Sequence, residues 1–300
     1  MLHNDKELFE QTILIVAKET NVNPAIIEKD YFVTLFLKEM VSRQPNIVFK
    51  GGTSLSKCYK LIKRFSEDID LNIETDGNPT EGQKKNLKAN IVSIIEDFGF
   101  QLTNAEDVRS RRSYNKYIID YSSVFTENYL KEHLMVETSV FIKAYPCEIK
   151  LASSLIYDYL AKHGYEDLIK KYSLEPFEVN VQTAARTLID KLYALGDYYL
   201  ADAVKEHSRH IYDIYKLIKV VPLDESIKKL VKEVYEDRKN VVSCRSAKEG
   251  IDMNKLLQEI IDKNIYQSDY EDVTSKMLFE EVSYETAINS LQDIVNKRIF

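Results

Sequence analysis

The stretch 46-NIVFKGGTSLSKCYKLIKRFSEDIDLNIE-74 decides the fold. Ile47-Val48-Phe49 is a short apolar run bounded by polar residues and reads as a buried strand. Gly51-Gly52-Thr53-Ser54 reads as a tight turn that opens a helix reaching Ile62, with Thr53 or Ser54 as its cap and Leu55, Tyr59 and Ile62 on one face. Asp68-Ile69-Asp70-Leu71-Asn72-Ile73 alternates strictly and predicts a second strand. Residues i and i+2 of a strand share a face, so Asp68 and Asp70 project together while Ile69, Leu71 and Ile73 turn to the core. Two carboxylates side by side repel each other. A divalent cation that prefers hard oxygen ligands, such as Mg2+, relieves that repulsion. Upstream, paired glycines let the backbone approach an anion closely, and the first N–H groups of a helix suit a phosphate. An anion cradle and a metal-binding acid pair joined by one helix make an apparatus for moving a nucleotidyl group.

The rest of the composition narrows the classes. Three hundred residues have room for two domains, and 44% hydrophobic residues can build a sizeable core. A net charge of -7 excludes a generically basic nucleic-acid binder. Any RNA contact would fall to local clusters: Lys57, Lys60, Lys63 and Arg64, or Arg109, Arg111, Arg112 and Lys116. Cys58, Cys147 and Cys244 have no metal-ligand spacing and suit a reducing cytoplasm. The charged N-terminus has no signal-peptide core, and no apolar run approaches the roughly 20 residues of a membrane helix. The chain therefore reads as cytoplasmic, with no membrane partner. A P-loop is excluded, because Ser56 stands where GxxxxGK[ST] needs glycine.

Working outward, helices are expected over residues 5–19 and from Asn23-Pro24 to Met40, with Asn23 as N-cap. Glu28 to Phe32 reads as an amphipathic turn with solvated charges and a structural role. Downstream come a helix over 81–98 ending at Gly99, strands from Phe100, over 114–121 and over 133–142, and a short strand over 146–151. From Ser153 the chain is mostly helical, interrupted by an extended segment at 175–182. Glu137 is the single acid in an apolar strand, which a buried unpaired carboxylate would penalise. Either it sits at a strand end in water or it joins Asp68 and Asp70 around a metal. Lys191 is an isolated helical lysine, a kind that normally faces solvent. Arg209 and Asp213 are four apart, as in an ordinary intrahelical ion pair.

GGTSLSK followed by RFSEDIDL resembles the AbiEii/AbiGii-type nucleotidyltransferase toxins, of the DNA polymerase β-like nucleotidyltransferase superfamily. The resemblance covers about residues 25–217. It implies an α/β (α+β) fold: a nucleotidyltransferase mixed sheet flanked by helices over 1–152, then a helical C-terminal domain over 153–300 contributing to the active-site cleft. Glu28-Lys29-Asp30-Tyr31 matches a segment that precedes the Gly-Gly motif in this family, and 136-VETS-139 resembles its third-acid strand. The implied metal ligands are Asp68, Asp70 and Glu137, holding Mg2+ or Mn2+. Lys50, Gly51, Gly52, Thr53, Ser54 and Ser66 would bind the NTP. The family's TLxxKLxAL pattern carries a functional lysine where Lys191 stands, here a ligand for nucleotide phosphates. Its Arg-x-x-x-Asp element falls on Arg209 and Asp213, which would orient Lys191 or touch phosphate. His210 departs from the acidic residue common in that element.

The reaction so implied is attack of an acceptor hydroxyl on the α-phosphorus of an NTP, with release of pyrophosphate. The implied acceptor is RNA, at the tRNA 3′ end. The implied role is a bacterial toxin of a toxin–antitoxin or phage-defence module with a separately encoded antitoxin. Two alternatives share the motif: NMP transfer to a protein hydroxyl, and a nucleotide-binding module without turnover.

Overall fold

The computed structural model describes residues 1–66, 68–125 and 133–300; Glu67 of the RFSEDIDL motif lies outside them. The chain packs as two compact units, Met1–Tyr59 with Ser66–Val181, and Lys60–Phe65 with Gln182–Phe300.

The first unit is built on a mixed sheet of seven strands: β1 (Ile47–Lys50), β2 (Asp68–Ile73), β3 (Gln101–Leu102), β4 (Tyr114–Asp120), β5 (His133–Ser139), β6 (Cys147–Ala152) and β7 (Phe177–Gln182). Their order across the sheet is β3-β4-β5-β2-β1-β7-β6. β1 and β2 pair antiparallel, with Lys50 opposite Asp70 and Phe49 opposite Leu71. β2 and β5 pair parallel, with Asp68 level with Met135 and Asp70 with Glu137. β4 and β5 are antiparallel and place Lys116 opposite Glu137. One face is apolar: Phe49, Ile69, Leu71, Val136 and Tyr117 are all buried. Helices α1 (Lys6–Thr20), α2 (Pro24–Arg43), α3 (Gly51–Lys57) and α4 (Glu81–Asp97) belong to this unit, and α2 packs against both β2 and β5. α2 starts where the sequence places it: Asn23 accepts from the Ala25 N–H at 2.8 Å and Pro24 opens the helix. α4 opens with a full capping box, Thr80 and Gln83 bonding reciprocally.

The expected boundary after residue 152 is not where the compact units divide. β6, α5 (Leu155–Lys162), α6 (Glu166–Tyr172) and β7 stay with the sheet, because β7 lies parallel to β1 with Phe49 level with Val181. The helix expected over 53–62 runs instead over Gly51–Lys57. Neither Thr53 nor Ser54 caps it; Ser54 Oγ donates back to the Gly51 carbonyl at 2.8 Å.

The charges at 28–30 are not solvated, contrary to their amphipathic reading. Glu28 is fully buried and accepts from Ser123 Oγ, the Val124 N–H and the Phe125 N–H, tying α2 to the segment after β4. Asp30 pairs with Lys57 at 2.6 Å and accepts from the Leu155 N–H at 2.7 Å. Lys57 also donates to Thr34 Oγ1, so it is committed to holding α3 on α2 and is withdrawn from the basic cluster. Three segments distant in sequence are thus joined to α2 by charge-assisted hydrogen bonds.

The second unit is helical: α7 (Ala184–Leu200), α8 (Arg209–Leu217), α9 (Glu225–Arg238), α10 (Met253–Asp262) and a last helix, Tyr284–Lys297. Thr183 caps α7 by accepting from the Arg186 N–H. α7 packs on α8, α9 and α10, and α8 on the last helix. A β-carbon at Gly196 of α7 would lie 2.8 Å from Ser246 Cβ and 2.9 Å from Leu256 Cδ2, so glycine permits the close approach. Residues 60–65 join this unit as an extended strap. The Phe65 N–H donates to the Met277 carbonyl and the Phe279 N–H to the Lys63 carbonyl. Among the described residues no helix is long and apolar enough to cross a membrane.

Candidate active site

In the first unit the polar face of the sheet carries a row of charges set by strand register. Lys50, Asp70, Glu137 and Lys116 stand side by side on β1, β2, β5 and β4. Asp68 lies two residues from Asp70 on the same face of β2. Lys116 Nζ is 3.6 Å from Glu137 Oε1, so the third acid already has a cation. Gly51 explains how Asp70 is seated. Its φ is +78°, and a β-carbon there would stand 2.0 Å from Asp70 Oδ2. The carboxylate occupies the space a side chain would fill, which makes glycine at 51 a requirement of both backbone and neighbour.

The other sequence-predicted residues of this turn divide. Thr53 and Ser54 are buried, with Thr53 Oγ1 at 2.9 Å from Ser66 Oγ and Ser54 bonded to its own turn. Lys50 and Gly52 are partly exposed beside the acids. One step beyond Asp70, on the same face of β2, a cavity of 670 Å³ opens, with Asn72, Glu74, Lys143 and Tyr145 in its wall. Asn72 braces that wall, donating from Nδ2 to the Ile142 carbonyl.

In the second unit Lys191 and Asp213 come together. Lys191 Nζ lies 2.6 Å from Asp213 Oδ2. Arg64, from the strap, forks onto the same carboxylate: Nε donates to Oδ1 and Nη2 to Oδ2, both at 2.7 Å. Its Nη1 donates to the Phe65 carbonyl. All three side chains are buried: Asp213 is 0% exposed, Arg64 4% and Lys191 5%. Burial alone would push the Asp213 carboxyl up, but Arg64 and Lys191 hold it well below the usual carboxylate range. Burial lowers the Lys191 ammonium, with Asp213 opposing and Arg64 and Arg209 adding to the depression. Two cationic side chains thus meet on one buried carboxylate, which a desolvated charge requires.

The sequence places Arg64 instead in a local basic cluster open to RNA contact, and its burial against Asp213 withdraws it from that cluster. Nothing local distinguishes it, since its partner lies 149 positions away. Asp213 takes its bidentate partner from the strap rather than from Arg209 one turn back. His210, Tyr198 and His207 lie near Lys191 as three nearly parallel rings, Tyr198 and His207 with centroids 3.4 Å apart. Burial, then Lys191 and Arg209, push the His210 imidazole well below its ordinary range.

Among curated protein sequences, none matches this chain. Of solved structures, the chain is similar to MenT4, a nucleotidyltransferase toxin from Mycobacterium tuberculosis H37Rv, with a TM-score of 0.48 at 15% identity, covering 94% of this chain and 98% of that one. A sequence model of the family described as "Nucleotidyl transferase AbiEii toxin, Type IV TA system" matches residues 36–296. That span takes in β1, the Gly-Gly turn, the acid strand and the Lys191–Asp213 pair, and the chain belongs to the AbiEii family of nucleotidyltransferase toxins.

Proposed function

We propose that this enzyme transfers NMP from an NTP to an RNA hydroxyl, at the 3′ end of tRNA, and so blocks translation in the bacterial cytoplasm until an antitoxin protein restrains it. The observation that carries the reading is the seating of Asp70 in the notch left by Gly51, two residues along β2 from Asp68 and level with Glu137 on one sheet face. That arrangement supplies only hard oxygen donors, which fit Mg2+ or Mn2+. Among the described residues no group of three His, Cys, Asp or Glu side chains is drawn together as a finished metal shell. Asp68 and Asp70 would hold the ion, and Glu137 would join them by exchanging Lys116. When bound, the metal would supply charge neutralisation at the transferring phosphoryl group.

The chain's own groups have separable work. Asp70 is positioned by Gly51, whose missing side chain leaves the space that the carboxylate fills. Lys191 would bind phosphate oxygens as a compact point charge, held by Asp213, with Arg64 keeping Asp213 ionised. Lys50, beside Asp70 on the next strand, would meet the anionic substrate. Glu137, on the far side of Asp70, is in reach of the role of base toward the acceptor hydroxyl once Lys116 is withdrawn. Catalysis of this kind is mostly positioning and electrostatic stabilisation.

The test is incubation of purified protein with Mg2+, total bacterial RNA and each α-32P-labelled NTP in turn, beside an Asp68→Ala/Asp70→Ala control. Label in the tRNA band with the wild type alone supports the reading and names the base preferred. Label in protein instead of RNA overturns the acceptor; label nowhere overturns the activity as stated.

A further inference from the structure

The strap Lys60–Phe65, N-terminal to the acid strand, belongs to the helical unit and delivers the buried Arg64 side chain to the Lys191–Asp213 pair. Asp213 sits on α8 and Lys191 on α7, and the lysine and the strap both pair with this one carboxylate. A buried carboxylate with one cation has a soft alternative: the proton moves, leaving a neutral pair, or the carboxylate rotates about χ2. A second cation on both oxygens removes these alternatives. A guanidinium does so with defined geometry, because its fork meets the carboxylate plane in two parallel hydrogen bonds. The strap in turn is held by backbone bonds on both sides of Arg64, from the Phe65 N–H to Met277 and from the Phe279 N–H to Lys63. Tyr212 Oη, one residue before Asp213, accepts from the Lys63 N–H at 2.9 Å and donates to Glu280. The guanidinium therefore approaches Asp213 from a backbone that has little room to move.

We propose that Arg64 is the positioning residue of the Lys191 site: it clamps both oxygens of Asp213 so that this carboxylate seats the lysine ammonium in one orientation. This deepens the reading of Lys191 as a phosphate ligand and rests on it. Arg64 itself is buried and committed to Asp213 and Phe65, so it acts through Asp213 and is not a catalytic residue.

The experiment compares wild type with Arg64→Lys, Arg64→Met, Lys191→Met and the double variant Arg64→Met/Lys191→Met. Three readouts are taken: thermal melting, KM for NTP and kcat in the labelled-transfer assay, and the side-chain 15N signal of Lys191, assigned by its loss in Lys191→Arg. Arg64→Lys keeps the charge and loses the fork. The expected result is a folded Arg64→Lys protein whose KM for NTP rises by about tenfold to a hundredfold, the size of coupling seen within a buried network. Its slowly exchanging Lys191 ammonium signal is lost or displaced, and the double variant is no worse than Lys191→Met alone. A merely structural strap predicts lower melting temperatures with KM within about twofold of wild type and additive effects in the double variant; that result overturns the proposal. Should Arg64→Met fail to fold, Arg64→Lys decides alone. Should the wild type transfer no nucleotide, the phosphate reading falls, while an unchanged Lys191 signal in Arg64→Lys still refutes positioning and a lost one still supports it.

Discussion

The open acid face of the sheet and the buried triad of the helical unit handle charge in opposite ways. Asp68, Asp70 and Glu137 stand at the surface of the first unit, partly exposed, with like charges adjacent and Lys116 moderating one of them. Arg64, Asp213 and Lys191 are buried in the second unit, with each charge directly paired. The exposed set keeps its repulsion because water screens it and a ligand can relieve it. The buried set has no screening and must satisfy itself internally. A site on the first plan tolerates substitution as a fold and fails as chemistry; one on the second plan fails first as a fold.

Substitutions test that contrast. Asp70→Asn should leave melting near wild type and cut labelled-nucleotide transfer by about 10²–10³-fold, the usual effect of removing one electrostatic group at the reacting centre. Loss of the fold with loss of activity would erase the distinction. Asp213→Ala should do the reverse in proportion: it strands two cations and should destabilise by about 3–5 kcal/mol in urea denaturation. Lys191→Met leaves Asp213 with Arg64 and should cost markedly less stability than Asp213→Ala. Gly51→Ala lies between the two plans. Its β-carbon collides with Asp70 Oδ2 and its φ of +78° strains any L-residue, so about 1–3 kcal/mol of stability should go together with most of the activity.

The acid limb of the stability profile gives a subtler reading. The Asp213 carboxyl is held below its ordinary 3.8, so its contribution is present above that pH and drains away as pH falls toward the folded-state value. Glu28 has the opposite sign, since burial raises its carboxyl despite the Ser123, Val124 and Phe125 donors. Its contribution is present below its ordinary 4.5 and is lost as pH rises through the raised value. Asp213→Asn should flatten the limb below pH 3.8, and Glu28→Gln should flatten the one above 4.5, both read from denaturation midpoints across pH. The smallest effect belongs to the basic turn. Arg111 is well exposed and pairs loosely with Glu81 at 3.4 Å, so Arg111→Glu with Arg112→Glu should leave folding untouched. RNA affinity should weaken and its salt slope shrink by about one per lost phosphate contact. Unchanged RNA binding would remove the turn from the footprint.

The acid strand was legible because its signal is local. Alternation of period two over six residues assigns each side chain a face, and Asp68–Ile73 took the bounds its pattern indicates. The same holds for Asn23-Pro24 at α2 and Thr183 at α7, where a cap needs only its own helix. The helix after Gly51 was misjudged, because Ile62, read as its last apolar contact, is buried beyond the end of the helix at Lys57. The sequence leaves Glu28 and Asp30 in water, and Lys57 and Arg64 in an accessible basic cluster, for a related reason. A charged residue defaults to water in sequence, and only a partner far along the chain overturns the default.

The sequence by itself determined the strands, the caps at Asn23 and Thr183, and the acids that share a face, since each follows from the stereochemistry of a few neighbouring residues. Tertiary structure decided which charges are buried and with whom. It put Asp70 in the space of a missing β-carbon, set Glu137 level with it by pairing β2 to β5, and brought Arg64 to Asp213 across 149 positions. Those outcomes depend on desolvation and on which segments fold against which, and neither quantity is written in any local stretch of the chain.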